Sequence, residues 1–287
     1  MNIKIPKKFM GSPIKGAMQR VLDRKDDGGT PPGAGTQNQS TGDIAPFNIN
    51  SPEDYIFLPG RTHGSYSYPN LEVSMYRLNA APQVVQAANK LGFQVQDTAK
   101  EQNGRDYIGS VNWEQVLKIN LSLEGLTLNN RQIIDLIELL KSGDAKDANG
   151  NNIPKPKLEE ILNEITQVRE PWRAEWLGAK FEDKSGKLHI NHSYKLVNGV
   201  LVPDFSEKLE ETYLRKNCWI SYSGINNQGM PTQEGKDIYY YSPVNGSVAG
   251  FRAGSGWAGF DCVGGPAGTG ASLGVRYARE ARGATKN

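Results

Sequence analysis

The rhythm of apolar and polar positions along this chain changes from segment to segment, and each change marks a class of element. From Ser51 onward, short alternating apolar runs appear, Tyr55-Ile-Phe-Leu and then the stretch from His63 to Tyr76, each bounded by Gly or Pro in the manner of strands. Helical patterns follow at 82–91, ending at Gly92, and at 113–119. Over 129–141, Ile133, Ile134, Ile137 and Leu140 make one apolar face and Gly143 marks the stop. Over 157–168, Leu158, Ile161, Leu162, Ile165 and Val168 share a stripe that Pro171 ends. Beyond Pro171 the texture becomes β. Runs at 176–182 and 187–194 flank Asp183-Lys-Ser-Gly186, and runs at 194–197 and 200–202 flank Asn198-Gly199, a strong short hairpin signal. Further runs at 217–222, 238–241, 247–253, 257–263 and 273–279 are separated by Gly-rich loops. Helices early and strands late predict an α+β domain with a mostly antiparallel sheet.

The first 50 residues read differently. Residues 1–26 are basic, and Ile14, Met18, Val21 and Leu22 fall at helical spacing, which fits either a short amphipathic docking helix or a solvated terminus. Residues 27–45 have no aromatic side chain and are dominated by Gly, Pro, Thr and Gln, so they bury too little surface to offset ordering entropy. The expected division is a flexible basic segment and linker over 1–50 and a globular domain over 51–287. With 33 Lys+Arg against 31 Asp+Glu the net charge is +2, so steering toward nucleic acid or an anionic membrane is not built in. No run reaches the roughly 18 apolar residues of a spanning helix, and no apolar segment follows the N-terminal charges, so neither membrane insertion nor a signal peptide is expected. Two cysteines, Cys218 and Cys262, are too few for a disulfide framework or a four-thiolate zinc site and leave one bridge or two free thiols open.

Candidate chemistry is sparse. His189 and His192 have a metal-like spacing, yet i and i+3 on a strand point to opposite faces. His63 has no Cys or acidic cluster near it in sequence. Asp144, Asp147 and Asn149 precede Gly150 without the ligand spacing of a calcium loop and read as a polar turn. Phosphate-binding and zinc-protease motifs are missing, so the expectation is a binding protein without metal or cofactor and not an enzyme.

Residues 237–279 hold ten Gly and no Lys, Glu, Gln or Met, a restriction that requires a cause. Val248, Phe251, Ala253, Ala258, Phe260, Cys262, Leu273, Val275 and Ala278 are small or apolar and suit an inward face. Gly250, Arg252, Gly254, Gly256, Gly259 and Asp261 interleave with them and are expected to face solvent, as are Val263, Gly264, Gly265, Ala267, Gly268, Thr269, Ala271 and Tyr277. A fixed inner set carrying a free outer set is the expectation for a binding face.

The pattern Ser247-Val-Ala-x-Phe-x-Ala-x-Ser-x-x-Ala-x-Phe-x-Cys262, followed by Leu273-Gly-Val-Arg-x-Ala-Arg279, resembles the variable region of target proteins of diversity-generating retroelements, found in phages, archaeal viruses and some prokaryotes. The resemblance takes in Pro171-Trp-Arg-Ala-Glu-Trp176 and Leu139-Leu-Lys-Ser-Gly143 and covers most of 55–280. In that family an error-prone reverse transcriptase substitutes bases at template adenines. Randomised AAC codons end in C and cannot encode Lys, Glu, Gln, Met or Trp, which would account for the missing types. Trp257 departs from that rule and is either a mutated AGG codon or scaffold; it joins the candidate binding set. The resemblance implies a C-type lectin fold of the formylglycine-generating-enzyme-like branch, whose last strand ends in a pattern similar to Gly274-Val-Arg-Tyr-Ala-Arg279. It implies a hypervariable ligand-binding face, an unidentified protein or cell-surface partner on a host, and a place on a virion or prokaryotic cell surface, with 1–26 as an anchor. Classical calcium-lectin tripeptides are missing, so sugar binding through calcium is not implied. The alternatives are a formylglycine-type enzyme using Cys218 and Cys262, and a virion structural subunit. Arg276 and Arg279 read as structural, holding carbonyls or carboxylates.

Overall fold

The computed structural model describes residues 48–282 and, near the N-terminus, the short strands β1 (Lys8–Phe9) and β2 (Ser12–Pro13), which pair antiparallel. The apolar stripe from Ile14 to Leu22, the linker at 27–45 and the expected anchor role of 1–26 otherwise lie outside the described residues. Residues 48–282 fall within one compact unit.

That unit is α+β. It contains β3 (Tyr55–Leu58), β4 (Arg61–His63), β5 (Tyr66–Tyr68), β6 (Leu71–Arg77), α1 (Pro82–Lys90), β7 (Asp97–Lys100), β8 (Asp106–Ile108), α2 (Trp113–Ser122), α3 (Asn130–Ser142), β9 (Lys146–Asp147) and α4 (Lys155–Thr166). Then come β10 (Arg173–Lys184), β11 (Lys187–Val197), β12 (Val200–Lys208), β13 (Cys218–Ile220), β14 (Ile238–Tyr241), β15 (Val248–Ala253), β16 (Ala258–Gly264), β17 (Leu273–Gly274) and β18 (Arg276–Glu280). The large sheet runs β12-β11-β10-β15-β16-β14-β13, with β17 joined to β10; the smaller runs β18-β6-β3-β9. Pairing is antiparallel except for β10 with β17 and β14 with β16.

Local chemistry explains most element boundaries. Asn129 caps α3 and Gln132 answers it, so the helix starts with a capping box, and Gly143 closes it at φ +78°. Asn112 and Gln115 do the same for α2. The turn Asn198-Gly199 has both residues at positive φ, +52° and +78°, the primed geometry that matches strand twist, and Val197 faces Val200 across it. The stripe expected to reach Val168 ends early: α4 stops at Thr166 and Val168 is exposed. Arg173 is the reason. Its buried guanidinium donates to the carbonyls of Asn163, Glu164 and Gln167, taking up groups that the end of the helix leaves open.

Helices α3 and α4 pack together, α3 against β3 and β10, α4 against β6 and β15, so both sheets share one apolar core. The last segment ties the sheets. Leu273–Gly274 runs parallel to β10, and Arg276–Glu280 then pairs with β6, with Leu126 bridging Ala278 from the other side. Arg276 donates to Glu175 at 3.1 Å and to the carbonyls of Ser74 and Met75; Arg279 donates to Glu72 at 2.7 Å. Both guanidiniums bind carboxylates or carbonyls inside the protein.

Candidate binding face

Strands β15 and β16 form a hairpin in the middle of the large sheet, closed by the loop 254–257 and followed by the loop 265–271. The inner set is as expected: Val248, Phe251, Ala253, Ala258, Phe260, Cys262, Leu273, Val275 and Ala278 are buried, and Phe251 meets Phe260 edge to face at 5.4 Å.

The outer set divides three ways. Gly256, Gly265, Ala267, Thr269 and Ala271 are exposed. Arg252, Gly254, Trp257, Val263 and Gly268 are half-buried. Gly250, Gly259, Asp261, Gly264 and Tyr277 are buried, and for these the expectation of solvent exposure is wrong. The parity of the strands is right, but other elements cover the outer side. The Trp176 indole, donating its N–H to the Val111 carbonyl, lies over Gly250 and Gly264: a Cβ at Gly264 would sit 3.2 Å from the ring and 2.9 Å from the Val248 carbonyl. A Cβ at Gly259 would fall 1.8 Å from the Tyr239 carbonyl oxygen, so close strand approach demands glycine there. Tyr277 is core: its hydroxyl donates to the Leu123 carbonyl at 2.8 Å and its ring meets Tyr55 at 6.2 Å.

Asp261 is held by charge. Its Oδ2 lies 2.8 Å from Arg252 Nη2 across the hairpin, and Oδ1 accepts the Val263 N–H at 3.2 Å. Burial pushes its carboxyl up from the usual range, and Arg252 opposes that shift. Among the described residues Oδ2 has no hydrogen-bond partner beyond this ion contact.

Beyond the ion pair the outer side opens onto an aromatic line. Arg252 sits over Trp257 at 5.4 Å and Trp172 at 6.0 Å; Trp257 touches Tyr241 at 5.3 Å and Tyr239 at 5.7 Å; Tyr239 meets Trp219 at 5.6 Å. Trp219 is 43% exposed, an accessible indole of the residue type enriched at interfaces. The glycines and alanines of 247–279 suggest a shallow surface poor in large rings; Trp257 supplies one ring from within that stretch, and the others come from β13, β14 and the segment before β10. Period-two alternation carries the signal, since Ile220 and Tyr240 point inward and therefore place Trp219, Tyr239 and Tyr241 on the opposite side.

The loops are tethered. Ser110 and Trp113 donate their N–H groups to the Gly270 and Pro266 carbonyls, and the Thr98 hydroxyl donates to Ala271. Gly270 packs under Trp172, where a Cβ would lie 3.1 Å from the ring.

The remaining candidates disperse. His63 Nε2 lies 2.9 Å from Asp135 Oδ2, an acid far away in sequence. His189 Nδ1 faces the Lys187 carbonyl while buried His192 pairs with Glu207 at 2.8 Å, so the two rings, despite a bulge between them, have separate partners. Asp147 accepts the N–H groups of Asn149 and Asn151 in a polar turn. Both cysteines are free thiols; Cys262 is fully buried, burial raises both thiols, and β14 lies between their strands. Among the described residues no helix is long and apolar enough to cross a membrane.

Comparison with protein-family models, with curated proteins and with solved structures gives no match to this chain.

Proposed function

We propose that this protein binds a macromolecular ligand through the outer side of the β15–β16 hairpin, on a C-type-lectin-like scaffold of the formylglycine-generating-enzyme-like branch. In this reading a diversity-generating retroelement varies the surface. The partner is a protein or other ligand on a host, and display is on a virion or prokaryotic cell surface. The observation that carries the reading is the aromatic line from Trp172 through Trp257 to Trp219, half-buried along most of its length, exposed at Trp219 and bordered by loops whose exposed positions are small. A rigid sheet beneath adaptable loops is the arrangement in which loop substitution changes recognition without costing the fold. The diversified set narrows accordingly to Gly256, Gly265, Ala267, Thr269 and Ala271, with the half-buried Gly254, Trp257, Val263 and Gly268 at its rim.

Deep sequencing of this gene across a population of its source tests the proposal. Substitutions are expected to concentrate at codons for those loop positions and at template adenines, leaving Phe251, Phe260, Cys262 and Leu273 fixed. An invariant segment, or changes spread evenly over 51–280, overturns it.

A further inference from the structure

A cleft of about 440 Å³ opens on a different part of the domain, within the roughly 300–1,000 Å³ range of small-molecule sites. None of its lining residues belongs to 247–279. One wall is aromatic. Tyr66 stacks on His192 at 4.7 Å with 16° between the planes, and Phe205 closes on both rings at 5.7 and 5.5 Å. Tyr68 continues the wall 6.0 Å from Tyr66. Leu117, Leu121 and Leu126 supply an aliphatic side.

The charges of the cleft have one sign. Asp204 and Glu280 are its acidic lining residues, and no Lys or Arg lines it among the described residues. Glu280 is exposed and has no ion pair among the described residues; Asp204 pairs with Lys195 at 2.8 Å, but both side chains are more than half exposed, so that pair is weak and exchangeable. Buried His192 anchors the wall through Glu207 and leaves Nδ1 without a hydrogen-bond partner. The Asn129 side chain donates to the Tyr66 hydroxyl and the His192 carbonyl, so helix α3 fixes the rings before any ligand arrives. Ring faces are electron-rich and attract cations, most strongly where water is displaced. An apolar wall, electron-rich faces, the unpaired Glu280 carboxylate and the weakly paired Asp204 select against anions and leave neutral molecules without their strongest contact.

We propose that this cleft binds a small organic ammonium ion carrying an aromatic or other apolar group. The apolar group lies among Phe205, Leu121 and Leu126, and the ammonium faces the Tyr66 and Tyr68 rings within reach of Glu280 and Asp204.

Isothermal titration of the full-length protein with 2-phenylethylammonium and benzyltrimethylammonium tests this, with 2-phenylethanol and phenylacetate as neutral and anionic counterparts. At least one cation is expected to saturate one site, with the alcohol at least tenfold weaker and phenylacetate weaker still. Asp204→Asn combined with Glu280→Gln is expected to weaken the cation at least fivefold with an unchanged melting temperature, because both side chains are exposed. Leu121→Trp, which fills the aliphatic side, is expected to abolish binding. Equal affinity for alcohol and cation, undiminished affinity in the double variant, or no saturation by either cation overturns the proposal.

Discussion

Arg252→Ala separates a scaffold position from a free surface position. On sequence grounds Arg252 faces solvent and tolerates replacement at little cost, since exposed substitutions stay within roughly ±0.5 kcal/mol. The structure argues otherwise. The substitution strands Asp261, 3% exposed, whose Oδ2 has no partner besides the guanidinium among the described residues. Breaking a buried pair by removing one member costs about 3–5 kcal/mol. Here the Arg252 side chain keeps 13% of its exposure, so about 2–4 kcal/mol is expected at pH 7. For a domain of this size, at about 2–4 °C per kcal/mol, the midpoint should fall by roughly 5–15 °C.

The pH dependence carries a definite sign. Asp261 has a folded-state pKa raised above the unfolded value, so the folded state binds more protons and stability falls as pH rises from the unfolded pKa through the folded one. Loss of Arg252 raises the folded pKa further and steepens that fall. The deficit should therefore be largest near neutrality and shrink on acidification toward pH 4, where a protonated Asp261 no longer requires the cation. Adding Asp261→Asn should restore part of the loss at pH 7. Thermal melts from pH 4 to 8 on the wild type, both single variants and the double variant measure all of this. A loss under about 0.5 kcal/mol at pH 7, or one independent of pH, would refute the structural role of the pair and return position 252 to the freely replaceable surface positions.

Glycines of the hairpin should sort by the space beside them: Gly259→Ala, meeting the Tyr239 carbonyl, should prevent folding or cost more than about 4 kcal/mol, while Gly256→Ala and Gly265→Ala, which meet open space, should stay within roughly 0.5 kcal/mol by chemical denaturation. Tyr277→Phe should cost about 1–2 kcal/mol, because it leaves the Leu123 carbonyl without its donor; an unchanged urea midpoint would contradict its placement in the core. Ellman's reagent should leave Cys262 untouched in the native protein, modify Cys218 slowly because its thiol is raised, and titrate two thiols after guanidinium unfolding; fast native modification of Cys262 would contradict its burial.

What could be read in advance followed from local rules. Helix α3 announced itself through Asn129, its apolar face and Gly143, and the Asn198-Gly199 hairpin through turn chemistry alone. Strand β7 gave no signal, because Asp97-Thr-Ala-Lys100 lacks apolar alternation, and its partner β8, Asp106-Tyr-Ile108, is only three residues long. At the candidate face, strand parity was legible but cover was not. Whether Gly250 and Gly264 meet solvent depends on Trp176, a ring contributed by the neighbouring strand β10. Trp219 and Tyr239 belong to the face because β13 and β14 extend the sheet beside β16, a pairing between segments that no short window of sequence contains.

The last few residues of the domain cross from one sheet to the other, and this gives translation a particular meaning here. Until Leu273–Gly274 has left the ribosome, β10 lacks its parallel partner, and until Arg276–Glu280 follows, β6 lacks a neighbour and Glu72 and Glu175 have no guanidinium. Neither sheet is complete before that segment is in place, so the domain closes only once its last strand has been made. A copy of the gene with a premature stop or frameshift anywhere before Leu273 yields a product that exposes the core to proteolysis. The terminal strand therefore acts as a reading-frame check: only chains translated in frame through Glu280 complete both sheets.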